Sequence, residues 1–264
     1  MTDLSIIIPT FNSENTICDC IDSILSQKTS LSIELVVVDG MSQDSTIEII
    51  KRYNLSNIII IQEPDNNTFE AMNKGVLASN SDYIIFLNSD DFFYNEKVLS
   101  NVSSYINSGK YNFIYGNIKI GLISLNSFKT KRIWNAPRNL NYCCFLCGIY
   151  PPHPGLVVKK SLFKEVGMIP TNHKSIGDLF FIKNCIESPS LSAIYTNEYH
   201  VAMRMGGLSS SGFLGLIRQN IDLYNSPLNS KSKTTSIIQL FIIKPLYRIY
   251  QYISASKSNE KIHI

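Results

Sequence analysis

No apolar run in this 264-residue chain approaches the roughly 18–20 residues of a bilayer-spanning helix, so no transmembrane segment is expected. Charge is sparse: charged residues make up 17% against 44% hydrophobic, and the net charge is +3. That balance argues against a disordered or nucleic-acid-binding chain and for a globular one with a sizeable core. The four histidines include no His-x-x-x-His, and Cys144-x-x-Cys147 has no second pair, so no zinc framework is complete. The six cysteines are expected to be reduced and to serve as small buried hydrophobes. Gly-x-Gly-x-x-Gly after a strand and the Gly-x-x-x-x-Gly-Lys-[Ser/Thr] loop are both missing, which leaves a dinucleotide fold and a P-loop unsupported. Leu4–Ile8 is too short, and lacks the basic leader, for a signal peptide, so a cytoplasmic protein is expected.

The charge that is there is uneven. Residues 231–264 hold six Lys or Arg against one Glu, a local +5, while the preceding 230 residues hold 18 basic and 20 acidic groups, a local −2. Residues 226–236 read as a polar linker, and 237–253 mix aliphatics and aromatics with Lys244 and Arg248 around Pro245, which should break or kink a helix. This tail suits an anionic membrane surface, peripherally on the inner face of the cell membrane. Packing back on the domain, or a contact in a homo-oligomer, are the alternatives.

Leu4–Asn12, Glu34–Val38, Asn57–Ile61 and Tyr83–Leu87 read as buried strands rich in β-branched residues. Between them, helices are expected up to about Gln27 with Asn12 or Ser13 as cap, from the Ser45-x-x-Glu48 capping box to about Tyr53, and over Phe69–Ala78 behind Asn67-x-x-Glu70. Strand and helix alternating at this spacing give a largely parallel α/β sheet with helices on both faces and ligand loops at its carboxyl edge. That edge gathers Thr10–Asn12, Asp39, Asp65–Thr68 and the adjacent pair Asp90 and Asp91. Two neighbouring carboxylates repel unless a cation or hydrogen-bond donors compensate them, and hard Mg²⁺ or Mn²⁺ suits oxygen ligands. The alternative is an acidic turn capping the next helix.

Four ordered segments, Ile6-Ile-Ile-Pro-Thr-Phe-Asn12, Val36-Val-Val-Asp-Gly-Met-Ser-Gln-Asp-Ser-Thr46, Asp65-Asn-Asn-Thr-Phe-Glu-Ala-Met-Asn-Lys-Gly75 and Leu87-Asn-Ser-Asp-Asp91, resemble the successive motifs of family 2 nucleotide-sugar glycosyltransferases. The resemblance covers roughly residues 4–210. It implies the GT-A, Rossmann-like α/β fold over residues 1–225, with a nucleotide-binding half at 1–110 and an acceptor half at 111–225, ahead of the 226–264 tail. It also implies a nucleotide-sugar donor (usually a UDP-sugar), a divalent Mn²⁺ or Mg²⁺ ion, and inverting transfer to a hydroxyl of a glycan or lipid-linked acceptor. The similar proteins are bacterial enzymes of capsule, O-antigen or exopolysaccharide synthesis. A sugar-phosphate nucleotidyltransferase would carry an early Gly-rich basic loop, which Pro9–Asn15 is not. A non-catalytic nucleotide-sugar-binding protein is the other rival.

Carried over residue by residue, the resemblance places Pro9, Thr10 and Asn12 beside the nucleotide and gives Asp39 the uracil imide. It sets Asp90 near the ribose and makes Asp91 the metal ligand. Asn73 and Lys74 would lie near the donor phosphates or sugar, or be solvated helix positions. His153 would line the donor site, or belong to a structural turn. Asp178 would be the general base and also cap a helix. Met205-Gly-Gly-Leu-Ser209 would close over the donor. This chain departs from the pattern with Asn67 for Gly, Glu70 for Asp, Pro154 for Gln and Gly177 for Glu. Asn67 would keep a left-handed turn, and Glu70 is either a donor contact or a helix cap. Lys129–Arg132 reads as a solvated basic loop and Trp134 as a core aromatic.

Overall fold

The centre of the sheet is made by stretches whose side chains are buried on both faces. In the computed structural model, which describes residues 2–124, 127–173, 175–206, 220–224, 239–256 and 261–263, these are β1 (Leu4–Thr10), β2 (Ile33–Asp39) and β4 (Tyr83–Phe86), with β3 (Ile58–Gln62) outside β2. All four run parallel in the order β3-β2-β1-β4, with Ile6 opposite Leu35 on one side and Ile85 on the other. The crossovers are α1 (Ile17–Leu25), α2 (Thr46–Arg52) and α3 (Thr68–Ala78). Period-two alternation sends Ile7, Val36 and Val38 into one core with Phe69, Met72 and Val76 of α3. Ile6, Ile8 and Val37 enter a second core with Ile17, Ile21 and Ile24 of α1.

Beyond β4 the chain adds β5 (Phe92–Phe93), α4 (Val98–Ser108), β6 (Phe113–Ser124), β7 (Ser127–Trp134), α5 (Tyr142–Leu146), β8 (Val157–Lys159), α6 (Lys160–Val166), α7 (Gly177–Glu187) and β9 (Ala193–Arg204). A π-helical turn over Gln239–Ile243 then leads into α8 (Lys244–Ser256), and β10 (Lys261–His263) pairs with β7. Two antiparallel joins matter for the site. β8 lies between β4 and β6, so its start faces the carboxyl end of β4. β9 runs parallel to β6 but antiparallel to β5, so its end returns to the residues just after β4.

Several local expectations give way to tertiary demands. α1 begins at Ile17, because Asn12–Thr16 is engaged in loop contacts, and its N-cap Thr16 makes no side-chain cap bond. The Ser45-x-x-Glu48 box does not close; Asp44 Oδ1 instead accepts from Thr46 N at 3.0 Å. Asn67 does cap α3, accepting from Phe69 N and Glu70 N, but with extended backbone (φ −172°), so no left-handed turn is needed. Glu70 reaches back to Asn66 N at 3.0 Å, which makes it part of that cap. Residues 127–134 form a strand with Arg132 buried, and no solvated basic loop exists there. Trp134 packs against both cores and donates Nε1–H to Tyr150 O at 3.1 Å. Cys20 and Cys185 are buried as expected, but Cys143 is exposed and Cys144 and Cys147 are half-buried.

The tail expectation divides. The 226–236 linker lies outside the described residues. Pro245 occupies the first turn of α8, directly after the π turn, where its missing N–H costs least. α8 packs on β7, anchored by Tyr247 Oη donating to Asn135 O at 2.8 Å. Its amphipathic pattern is inverted. Lys244, Tyr247, Arg248, Gln251 and Ala255 face inward, while Ile242, Leu246, Ile249, Tyr250 and Ile253 stand outward and exposed. Among the described residues, no helix is long and apolar enough to cross a membrane.

Candidate active site

The carboxyl edge of the sheet collects acids from four separated segments. Asp39 ends β2, fully buried, with Oδ2 accepting from Ser42 N at 3.0 Å and Oδ1 from Ser42 Oγ at 2.5 Å. Positive φ at Asn12 (47°) and Met41 (66°) turns both loops inward. They are stitched together by Gln43 N donating to Asn12 Oδ1 and Asn12 N donating to Ser42 Oγ, each at 2.8 Å. Pro9 and Thr10 are buried beneath, and Phe11 stands 58% exposed beside them. Asp65 is close enough that Asp39 acts on it. Burial raises its carboxyl, Lys74 opposes the rise, and Glu70 and Asp39 add to it.

Lys74 and Asn73 act on loops. Lys74 Nζ donates to Pro64 O at 2.7 Å and pairs with Glu63 (3.5 Å) and Glu70 (3.6 Å), so it holds the wall that carries Asp65. Asn73 is engaged at both ends of its amide: Nδ2 donates to Ile169 O at 2.7 Å and Oδ1 accepts from Ile169 N at 3.0 Å. Its amide thereby ties α3 to the segment leading to α7. Asn67 Nδ2 donates to Thr171 O in the same segment at 2.9 Å.

The acidic pair splits into an inner and an outer member. Asp91 is 1% exposed, and its oxygens are taken by Asn88 Nδ2 (2.9 Å) and by Arg204 N (3.0 Å). Burial, then repulsion from Asp90, pushes its carboxyl well above the usual range. Asp90 is half-buried, and no side chain of a described residue donates to its carboxylate. Its carboxyl is raised by burial and moderated by its own backbone N–H, Arg204 and His153. Arg204 braces the turn, with Nε donating to Asp90 O at 3.0 Å and Nη2 pairing with Asp19 at 2.6 Å. Sequence reasoning missed Arg204. Its only signal is its position just before the Met205-Gly206 turn, most of whose Gly-Gly-Leu-Ser continuation lies outside the described residues.

His153 joins the two halves. It precedes β8, and Gly155 N donates to Phe86 O at 3.1 Å, so the loop sits against the end of β4. Gly155 has φ +76°, and a Cβ there would lie 2.7 Å from the Cβ of His200, which only glycine avoids. His153 Nδ1 meets Asp178 Oδ2 at 3.0 Å, both side chains about four-fifths buried at 19% and 18% exposure. Asp178 lies in the first turn of α7, but the N-cap is Ile176 and Asp178 does not cap; its carboxylate is given to His153. Gly177 is explained by packing, since a Cβ there would meet Pro170 O at 2.4 Å and the Phe69 ring at 2.7 Å.

Beneath this loop His200 is buried, with Nδ1 on Gly155 O (2.8 Å) and Nε2 on Thr196 Oγ1 (2.9 Å). Burial lowers its pKa to about 4, against the pull of the Gly155 carbonyl. The unfolded chain therefore binds the extra proton between that value and the ordinary histidine value of about 6.5. Stability from this group is present above that window and is lost as pH falls through it, by up to about 3 kcal/mol. His200→Gln is expected to be less stable at pH 7 but to show a flatter pH dependence of Tm between pH 6.5 and 4; parallel curves would discard this account.

A profile of the family described as "Glycosyl transferase family 2" matches residues 5–166. A PGL/p-HBAD biosynthesis glycosyltransferase of Mycobacterium tuberculosis is 30% identical over 215 residues, 78% of this chain and 79% of the relative. A UDP-Glc:α-D-GlcNAc-diphosphoundecaprenol β-1,3-glucosyltransferase, WfaP of Escherichia coli, is 33% identical over 223 residues, 82% and 84% of the two chains. Among solved structures, residues 1–349 of S. aureus TarS with UDP-GlcNAc superpose with a TM-score of 0.63 at 19% identity, covering 98% of this chain and 74% of that one. A mannosyltransferase of Pyrobaculum calidifontis with GDP-Man and Mn²⁺ gives 0.61 at 14% identity, covering 97% and 74%. The fold is the GT-A fold, and with motifs, profile and relatives in agreement the chain belongs to glycosyl transferase family 2.

Proposed function

We propose that this protein is an inverting, metal-dependent glycosyltransferase that moves a sugar from a UDP-sugar to a hydroxyl of a glycan or lipid-linked acceptor, in cell-surface polysaccharide synthesis at the cytoplasmic membrane face. One observation carries the reading: Asp90, His153 and Asp178, from three distant parts of the chain, come together at the edge of the sheet where β2 ends in Asp39. Both Asp39 oxygens face Ser42, and exchanging one of those contacts for the imide N–H of uracil would make a charge-assisted bond. Pro9, Thr10 and Asn12 lie on the stretch tied to the loop after Asp39, and Lys74 holds the segment that carries Asp65.

Asp90 fits a hard divalent cation better than Asp91 does. It is a carboxylate partly withdrawn from water to which no side chain of a described residue donates, whereas both oxygens of Asp91 are held by the protein. A hard divalent cation can be held by one carboxylate together with donor phosphates. When bound, the metal supplies positive charge against the departing diphosphate. Asp178 takes the proton of the acceptor hydroxyl through Oδ1, while His153, protonated on Nδ1, donates to Oδ2 and fixes the carboxylate's orientation. The outward apolar face of α8 and the basic surplus of residues 231–264 support contact of this side of the molecule with an anionic membrane.

One preparation tests the reading: the full chain with UDP-, GDP- or dTDP-sugars, Mn²⁺, and anionic vesicles carrying a bacterial lipid-linked acceptor extract. The expected result is acceptor-dependent release of UDP, detected by mass spectrometry, and co-flotation with the vesicles that high salt abolishes. Diphosphate consumption with nucleoside triphosphate formation would indicate a nucleotidyltransferase, and donor binding without turnover a binding protein. Flotation that ignores salt would remove the electrostatic membrane contact.

A further inference from the structure

The packing of α8 on β7 brings cations together without acids. β7 carries Lys129, Lys131 and Arg132, α8 carries Lys244 and Arg248, and neither element contains an Asp or Glu. Arg132 is 93% buried (7% exposed), its Nε has no hydrogen-bond partner among the described residues, and its guanidinium carbon lies 5.4 Å from the centre of the Trp134 ring. Arg248 is half-buried and close enough to depress the Arg132 guanidinium further after burial, to about 10. No ion pair to Arg132, Lys244 or Arg248 exists among the described residues, and the rest of the chain holds a single acidic side chain, Glu260. A buried guanidinium beside a second, half-buried one is costly without a counter-charge, and an anion would offset that cost.

The cluster lies beside the acceptor's base and away from the donor's acid. Tyr150, buried, feels Asp178 as well as Arg248 and Arg132, and Asp178 acts on Lys244, whose Nζ donates to Asn220 at 3.0 Å. Asp90 responds to His153 and Arg204 but to none of these three cations. Along the same helix the outward face is apolar and exposed at Leu246, Ile249, Tyr250 and Ile253. A phosphate seated inside α8 would thus have an apolar surface within one helix width.

We infer that Arg132, Arg248 and Lys244 form a phosphate site that takes the phosphate or diphosphate of a lipid-linked acceptor, holding its sugar hydroxyl toward Asp178 and leaving its hydrocarbon along α8. The inference rests on the glycosyltransferase reading and adds the acceptor class. The two guanidiniums supply forked donors that match phosphate oxygens, and Lys244 a point charge.

The test is calorimetry on the full chain in EDTA with saturating UDP, using geranyl diphosphate and inorganic pyrophosphate as probes. Geranyl diphosphate is expected to bind alongside UDP and more tightly than pyrophosphate. Arg132→Gln and Arg248→Gln should each weaken it by about tenfold to a hundredfold, the range of a lost charge-assisted contact. UDP affinity measured with Mn²⁺ should stay within about twofold of the parent. If Arg132→Gln does not fold, Arg248→Gln, on the half-buried face of α8, decides. Unchanged geranyl diphosphate affinity in the folded variants overturns the site. Equal affinity for pyrophosphate overturns the lipid source, and loss of UDP affinity in the variants reassigns the cations to the donor. Absence of UDP binding by the parent would instead defeat the donor reading, with the geranyl diphosphate arm still judging this site.

Discussion

Asp178→Asn is expected to bind UDP as the parent does and to slow single-turnover transfer by roughly 10²–10⁴-fold, the range for removing a general base. The amide is nearly isosteric and the position is half-buried, so the fold should survive. What is lost is chemistry at one atom. Oδ2 faces His153 at 3.0 Å, and Oδ1 is the oxygen left to receive a proton. An amide in that place can still meet the histidine through its oxygen but offers the acceptor hydroxyl an N–H, which cannot take a proton. Asp178 makes no hydrogen bond to Asp39 or Asp90 among the described residues, so its replacement by a nearly isosteric amide should leave both in place. Donor affinity and transfer rate therefore separate in this variant. A variant that transfers at near-parental rate would show that Asp178 only orders the His153 loop, and the base would have to be sought elsewhere.

The acidic pair should separate in the opposite sense. Asp90→Asn is expected to lose the Mn²⁺-dependent part of UDP affinity while melting close to the parent temperature. Asp91→Asn is expected to keep Mn²⁺-dependent binding but to lose about 1–3 kcal/mol of stability, the cost of disturbing a buried hydrogen-bonded acceptor. The asymmetry follows from burial and partners. The Asp91 oxygens meet Asn88 and the Arg204 backbone at 2.9 and 3.0 Å in a site with 1% exposure, so an amide NH₂ there faces a donor. Asp90 is half-buried, and no side chain of a described residue donates to its carboxylate. Calorimetry with and without Mn²⁺, beside thermal melts of both variants, reads the two effects separately. Metal-dependent binding lost in Asp91→Asn and kept in Asp90→Asn would restore Asp91 as the ligand.

The pair also shows where sequence reading reaches its limit. The strands around Ile6–Ile8 and Val36–Val38, and the positions of Asp39 and Asp90 at the ends of such runs, were legible because short buried runs end in polar turns at regular spacing, while Asp178 was singled out by the family resemblance. Which of two adjacent carboxylates faces inward was not legible. It depends on Arg204, 113 residues beyond Asp91, arriving on β9 to donate its backbone N–H. Asn12 and Ser13 read as helix caps from local sequence alone, yet Asn12 is used to tie two loops 31 residues apart. Arg132 looked solvated because three cations within four residues usually are; that β7 is an inner strand depends on β10, and the cover over it on α8, both much further along the chain. The mix of apolar residues and cations over 237–253 was visible as composition, but which side of α8 turns outward needed β7 as a reference surface.

The clamps that α3 places on the segment before α7 have a consequence for how the molecule is made. Asn73 to Ile169 and Asn67 to Thr171 close loops of 96 and 104 residues, and the Gly177 backbone rests on the Phe69 ring of the same helix. Contacts of such sequence separation form late, because chain closure must be achieved before they contribute anything. During synthesis, the β1–β4 half can complete its parallel ladder before the polymer that carries Asp178 has left the ribosome. It then waits as a template on which the second half is registered. A chain cut between Leu87 and Ile169 should accordingly yield a first fragment that keeps the β1–β4 ladder and a second one without a surface on which to align Asp178. Complementation between two such fragments would have to be bimolecular, and its rate would depend on concentration.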